Sequence, residues 1–127
     1  MKLLHLFLAA LLLSCTQPSG NDASLLSPEA FQAMLQKDPS VQLIDVRTPE
    51  EFSRGHLENA VNLNIHDADF TQKIGQLDKK QPVMVYCAVG GRSGTAAKQL
   101  RGMGFLNVYD LKGGVNEWKE AGLPLKQ

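Results

Sequence analysis

A single cysteine, Cys87, joins an apolar run to a glycine-rich turn in the stretch Val83-Met84-Val85-Tyr86-Cys87-Ala88-Val89-Gly90-Gly91-Arg92-Ser93-Gly94. The thiolate is the reactive form of cysteine, and it is favoured where the sulfur faces a helix N-terminus or a nearby arginine. Gly90 and Gly91 free the backbone to curl, so that successive N–H groups can converge on one point and form a nest for an anion. Arg92 brings a full positive charge to the same turn. This spacing predicts a cradle with Cys87 as nucleophile, in preference to a small cysteine packed passively in a core.

The cradle needs a strand before it and a helix after it. Val83 to Tyr86 is short, apolar and rich in valine, as a fully buried parallel strand is, and Pro82 stands at its entrance, where a missing N–H is tolerated. From Ser93 onward, Ala96, Ala97, Leu100 and Met103 recur at helical spacing, and Gly104 is placed as a C-terminal cap. Cys87 therefore falls at the carboxyl end of a strand and faces the start of the next helix, where ligands sit in open α/β sheets.

The remaining chain alternates in the same way. Ser24 to Leu26 predicts a short first strand, and Ser27 caps a helix with Pro28 at its first position and Phe31, Met34 and Leu35 on its apolar face. Asp38-Pro39 ends that helix, and Val41 to Val46 is the next strand. Thr48-Pro49-Glu50-Glu51 is a capping box opening a short helix that Gly55 can end. Ala60 to Leu63 predicts a weaker strand, Asp67 to Leu77 a helix, and Asn107 to Leu111 a last strand turned by Gly113-Gly114 into a helix bearing Trp118. Strand and helix in alternation imply a parallel α/β sheet. Trp118 is expected in the core, and His56 is read as structural because a thiolate already stabilised by its surroundings needs no base.

The cysteine-to-arginine loop resembles that of the rhodanese family, the single-domain sulfurtransferases. Leu43-Ile44-Asp45-Val46-Arg47, Glu51-Phe52 and Gly55-His56-Leu57-Glu58-Asn59-Ala60 resemble the family's amino-terminal signature, and Gly113-Gly114-Val115-Asn116-Glu117-Trp118 its carboxyl-terminal one. The resemblance implies a three-layer domain over residues 25–127, with a parallel sheet of about five strands flanked by helices. It implies a sulfurtransferase in which Cys87 takes sulfane sulfur from a donor such as thiosulfate or a persulfide, holds it as a persulfide, and passes it to a thiol, a cyanide-like acceptor or a protein acceptor. The backbone of Ala88, Val89, Gly90, Gly91, Arg92 and Ser93 would cradle the sulfur, Asp45 and Arg47 would help to hold the loop, and no metal or organic cofactor is implied. The other class of function compatible with these residues is a module that carries or senses sulfur without turnover.

A cysteine, loop and arginine at a helix start also resemble the cradle of cysteine phosphatases. Those enzymes place five residues between the two side chains, whereas Ala88-Val89-Gly90-Gly91 are four, a loop too tight for a tetrahedral phosphate but open to one sulfur atom. Negligible hydrolysis of aryl phosphates is expected. Ala88 and Val89 are uncharged where many thiosulfate-using members of the rhodanese family carry a basic residue, which lowers the attraction of the pocket mouth for a dianionic donor.

Composition excludes other classes. The 127 residues carry 13 basic and 13 acidic side chains, so no net charge draws the chain to nucleic acid. With only Cys15 and Cys87, and with His5, His56 and His66 lacking ligand spacing, neither a disulfide framework nor a metal centre is expected. Lys2 followed by the apolar residues up to Leu13 has the pattern of a secretory signal peptide, too short to span a bilayer, which needs about 20 residues. Leu12-Leu13-Ser14-Cys15 resembles the lipobox of bacterial lipoproteins, which implies a signal peptide over 1–14 and lipidation of Cys15. Residues 15–24, polar and small with Pro18 and Gly20, read as a flexible tether. That resemblance places the domain in the cell envelope outside the cytoplasm, on the periplasmic face of the outer membrane in a Gram-negative source.

Overall fold

The computed structural model describes residues 24–127. Ten elements alternate along them: β1 (Leu25–Leu26), α1 (Pro28–Lys37), β2 (Gln42–Asp45), α2 (Pro49–Ser53), β3 (Val61–Asn62), α3 (Phe70–Gly75), β4 (Val83–Tyr86), α4 (Gly91–Gly102), β5 (Val108–Leu111) and α5 (Gly114–Glu120). The strands form one parallel sheet, as the alternation predicted, and their order in it is β1-β5-β4-β2-β3. β4, the strand that leads into Cys87, lies at its centre.

The pleat sends successive side chains of β4 to opposite faces. Val83, Val85 and Cys87 join Ile44 and Val46 against Phe70 and Ile74 of α3 and Ala96, Ala97 and Leu100 of α4. Met84 and Tyr86 join Leu43 against Phe31 of α1 and Val115 and Trp118 of α5. The result is three layers with the sheet in the middle, which explains why β4 is apolar without interruption. Trp118 is buried as expected, its ring edge-on to Phe31 at 6.4 Å and its indole N–H donating to the Pro124 carbonyl at 2.9 Å.

The helix starts follow local chemistry. Ser27 caps α1 by accepting from the Ala30 N–H at 3.2 Å, with Pro28 inside the first turn. Thr48 and Glu51 form the reciprocal capping box of α2. Gly104, at φ +94, follows the last turn of α4 in the left-handed region that glycine tolerates. Two helix starts differ from the sequence reading: α3 begins at Phe70 and not at Asp67, and α4 begins at Gly91, two residues before Ser93. The first turn of α4 carries no apolar residue that periodicity could register.

Because the strands are parallel, the carboxyl ends of β2, β4 and β5 reach one edge of the sheet. The Asp45–Arg47 segment, Cys87 and the Gly113-Gly114 turn meet there.

Candidate functional site

Cys87 leaves β4 and is buried, with its sulfur at the start of α4. Gly90 caps that helix at φ +115, a conformation open to glycine and strained for other residues. This geometry aims the Gly90 N–H at the sulfur, to which it donates at 3.1 Å. The thiol in turn donates to Ser93 Oγ at 3.4 Å, and Ser93 Oγ donates to the Gly90 carbonyl at 3.2 Å. A hydroxyl both donates and accepts. When Cys87 is ionised, the Ser93 hydroxyl can turn to donate to the sulfur, so the same contact serves either state.

The loop is held from behind by α5. Val115 N–H donates to the Cys87 carbonyl at 2.8 Å and Asn116 N–H to the Ala88 carbonyl at 3.1 Å. Both carbonyl dipoles are thereby committed to α5 instead of to the sulfur. That approach needs a bare backbone: Gly114 sits at φ +60, and a Cβ there would be in hard contact with the Cys87 carbonyl oxygen and 2.5 Å from the carbonyl carbon and oxygen of Ala88.

Arg92 is fixed by a residue that the sequence marked only as a helix cap and as part of a signature. Its guanidinium donates to both oxygens of Glu51, at 2.7 Å and 2.8 Å, joining the first turn of α4 to α2. The Arg92 hydrogen bonds hold the Glu51 carboxyl down at about 2 against the cost of its desolvation, with the Thr48 cap adding to the effect. Glu51 likewise raises the arginine above its ordinary value. The charge of Arg92 is therefore balanced at its own site, which leaves the Gly90 N–H, with the Ser93 hydroxyl, as the nearer support for a negative sulfur.

Asp45 and Arg47 form a separate buried pair at the same edge. Arg47 donates to the two Asp45 oxygens at 2.7 to 3.0 Å and to the Gly55 carbonyl at 2.7 Å. Burial disfavours its charge, but Asp45 more than offsets this, so Arg47 titrates above its ordinary range. The guanidinium lies 5.6 Å from the centre of the Tyr86 ring, and the Tyr86 hydroxyl accepts from the Leu57 N–H at 3.0 Å. These residues reach the loop through Tyr86, which precedes Cys87; their side chains bond one another, Tyr86 and the Gly55 turn, and the Asn62 side chain donates to both of their carbonyls. His56 stacks on Phe52 at 3.8 Å, with Nδ1 3.1 Å from the Phe52 carbonyl oxygen. Cys15 lies outside the described residues.

The Arg92–Glu51 link gives a measurable pH signature. A carboxyl held at about 2 in the fold and near its ordinary value of 4.5 when unfolded stabilises the fold above about pH 4.5 and loses that contribution as pH falls toward 2. Both side chains are about a quarter exposed, 27% and 24%, so water screens the pair and its worth is about 1 kcal/mol. Glu51→Gln is expected to lower the urea midpoint accordingly near pH 7. The gap to wild type should narrow as pH approaches about 3, and a gap independent of pH would remove the ion pair as its cause.

The family model described as Rhodanese-like domain matches residues 27–121. The chain is 42% identical over 82 residues to thiosulfate sulfurtransferase GlpE of Shewanella oneidensis, covering 65% of this chain and 79% of that one. It is 40% identical over 93 residues to YqhL of Bacillus subtilis, covering 73% of this chain and 70% of its relative. Among solved structures, a rhodanese-related protein from Thermoplasma volcanium superposes with a TM-score of 0.71 at 28% identity, over 80% of this chain and 96% of its own.

Proposed function

The chain belongs to the rhodanese-like domain family, and from that premise we propose that it is a sulfurtransferase working through a persulfide on Cys87. The observation that carries this reading is the Gly90 N–H aimed at the sulfur at 3.1 Å from the cap of α4. A thiolate there attacks the outer sulfur of a donor such as thiosulfate. A bond forms between that sulfur and Sγ, the donor's S–S bond breaks, and sulfite leaves with the electron pair. An acceptor then attacks the outer sulfur of the persulfide and restores the Cys87 thiolate. The Gly90 N–H, already aimed at the sulfur, and the Ser93 hydroxyl stabilise the thiolate without reorganising.

Loading can be read directly. The full chain carrying Cys15→Ser has Cys87 as its only thiol, so no second cysteine can resolve the persulfide as a disulfide. After incubation with thiosulfate or a polysulfide, intact mass should show one added sulfur, which cyanide or a reducing thiol removes. An unmodified mass with both donors, with Cys87 shown to be reduced and accessible, would sink the transfer reading and favour a binding module.

We further propose that the domain works at a membrane surface outside the cytoplasm, tethered through lipidated Cys15. More than one acyl chain, at about 0.8 kcal/mol per buried methylene, exceeds the marginal hold of a single chain. Cys15→Ala is expected to abolish lipid labelling and membrane retention; equal membrane recovery of both forms would remove the anchor.

A further inference from the structure

The edge of the sheet opposite Cys87 is built from the segments that lead into the strands, and its side chains differ in kind from those around the loop. Leu106, just before β5, is 84% exposed, more than any other large apolar residue among those described, and Leu25, which opens β1, is 43% exposed. Lys79 and Lys80 stand exposed in the turn before β4. Hydrogen bonds join these segments into one surface. Val83 N–H donates to the Asn107 carbonyl at 2.9 Å, and the Arg101 guanidinium, near the end of α4, donates to Ser24 Oγ at 2.6 Å and to the Val108 carbonyl at 3.1 Å. Asp78 is the acid of the turn before β4 and accepts from the Lys80 N–H at 2.9 Å. Lys79, Lys80 and Arg101 thus outnumber it around two exposed leucines. At the carboxyl edge the balance is reversed. Arg47 and Arg92 are already paired there, and the first turns of α1, α2 and α5 add Glu29, Glu50 and Glu117, as the positive ends of helices favour. The zero net charge of the chain therefore divides into a basic edge and an acidic one.

We infer that the basic edge docks on the anionic headgroups of the bilayer that holds the domain, with Leu106 and Leu25 entering the interface and Lys79, Lys80 and Arg101 beside the phosphates. The inference rests on the anchor at Cys15 proposed above. The residues from Thr16 to Ser24 reach at most about 30 Å, so the edge that carries Ser24 is kept close to the lipid. A contact too weak to hold a free domain then suffices, because the tether makes it intramolecular. Apolar side chains flanked by cations are what binding at a membrane interface uses. The orientation has a chemical consequence. The rise of β4 separates Val83 from Cys87 by about 13 Å, so the loop faces away from the bilayer and meets its donor and acceptor from solution.

The test uses the full chain, purified from the membranes of a bacterial host in nonionic detergent. It is reconstituted into vesicles of phosphatidylglycerol and phosphatidylcholine whose acyl chains are brominated near the headgroup, where bromine quenches tryptophan on contact. Wild type reports only Trp118, the single tryptophan, which is buried and should be unaffected. Leu106→Trp should lose about half of its added emission, as an indole seated about 5–10 Å into the interface would. Val89→Trp places the same probe at an exposed position beside Cys87 and should lose none, so the preference of indole for interfaces does not account for the difference. Adding Lys79→Gln/Lys80→Gln to Leu106→Trp should lower the ratio of docked to free domain by about tenfold or more, since each cation near an anionic surface favours docking about fivefold. Vesicles of phosphatidylcholine alone should lower it likewise. Quenching that is absent from Leu106→Trp, equal in Val89→Trp, or indifferent to the lysines and to lipid charge overturns the docked edge while the anchor stands. A chain that neither enters the membrane fraction nor floats with the vesicles sinks the anchor, and the docked edge with it.

Discussion

Cys87→Ser should take up no sulfur from thiosulfate or a polysulfide, and its turnover with thiosulfate and cyanide should fall by roughly a thousandfold or more. The expected size follows from what one atom changes. A serine hydroxyl stays protonated at neutral pH and has little affinity for sulfur, so the first bond of the cycle is not made. The surroundings should tolerate the change. The site is buried, the side chains are close in size, and an oxygen can still accept from Gly90 N–H and exchange a hydrogen bond with Ser93. The thermal midpoint is therefore expected to stay close to that of wild type, which separates loss of chemistry from loss of fold. Arg92→Ala should slow loading without abolishing it, because Gly90 still points at the sulfur and α5 still holds the loop carbonyls. Substantial turnover in Cys87→Ser would move the chemistry to another group and overturn the assignment.

The parts of this site that local chemistry determines are legible in the sequence. The apolar run of β4, the Thr48–Glu51 box, Pro28 after Ser27 and the glycine pair before Arg92 each declare themselves within a few residues, because caps and buried strands have short-range causes. Alternation of strands and helices then places Cys87 at the carboxyl edge of a parallel sheet. Pairings across the chain are not local. Glu51 and Arg92 are 41 residues apart, and nothing near Glu51 distinguishes a capping carboxylate from one that also anchors the next helix but one along the chain. Arg54 and Lys119 belong to no sequence motif, and only the packing of α2 and α5 beside the loop brings them to one cavity. The start of α4 was displaced for a different reason. Its first turn is set by Gly90 at φ +115 and not by apolar periodicity, so the pattern emerges only at Ala96.

Gly114→Ala should be the most damaging substitution among the glycines around the loop, costing about 3 kcal/mol or more. Two effects combine. Alanine at φ +60 sits in the left-handed region, at a cost of about 1 kcal/mol. The larger effect is steric, because the new methyl would meet the backbone of Cys87 and Ala88, with Ala88 atoms 2.5 Å away. A backbone cannot swing aside as a side-chain tip can, so either α5 or the loop must move. Movement of either breaks the hydrogen bonds from Val115 to Cys87 and from Asn116 to Ala88, and a buried carbonyl left without its donor costs about 1–3 kcal/mol. Gly91→Ala provides the internal comparison. Nothing lies within 4 Å of the Cβ it would add, and the residue starts a helix, so its stability should stay within about 0.5 kcal/mol of wild type. Urea unfolding of the two variants side by side reads the difference. Sulfur loading of Gly114→Ala, measured where it is still mostly folded, should also be slowed, because a displaced loop no longer aims the Gly90 N–H at Cys87. If Gly114→Ala proved as stable as Gly91→Ala and loaded at the wild-type rate, α5 would not be the support that fixes the loop.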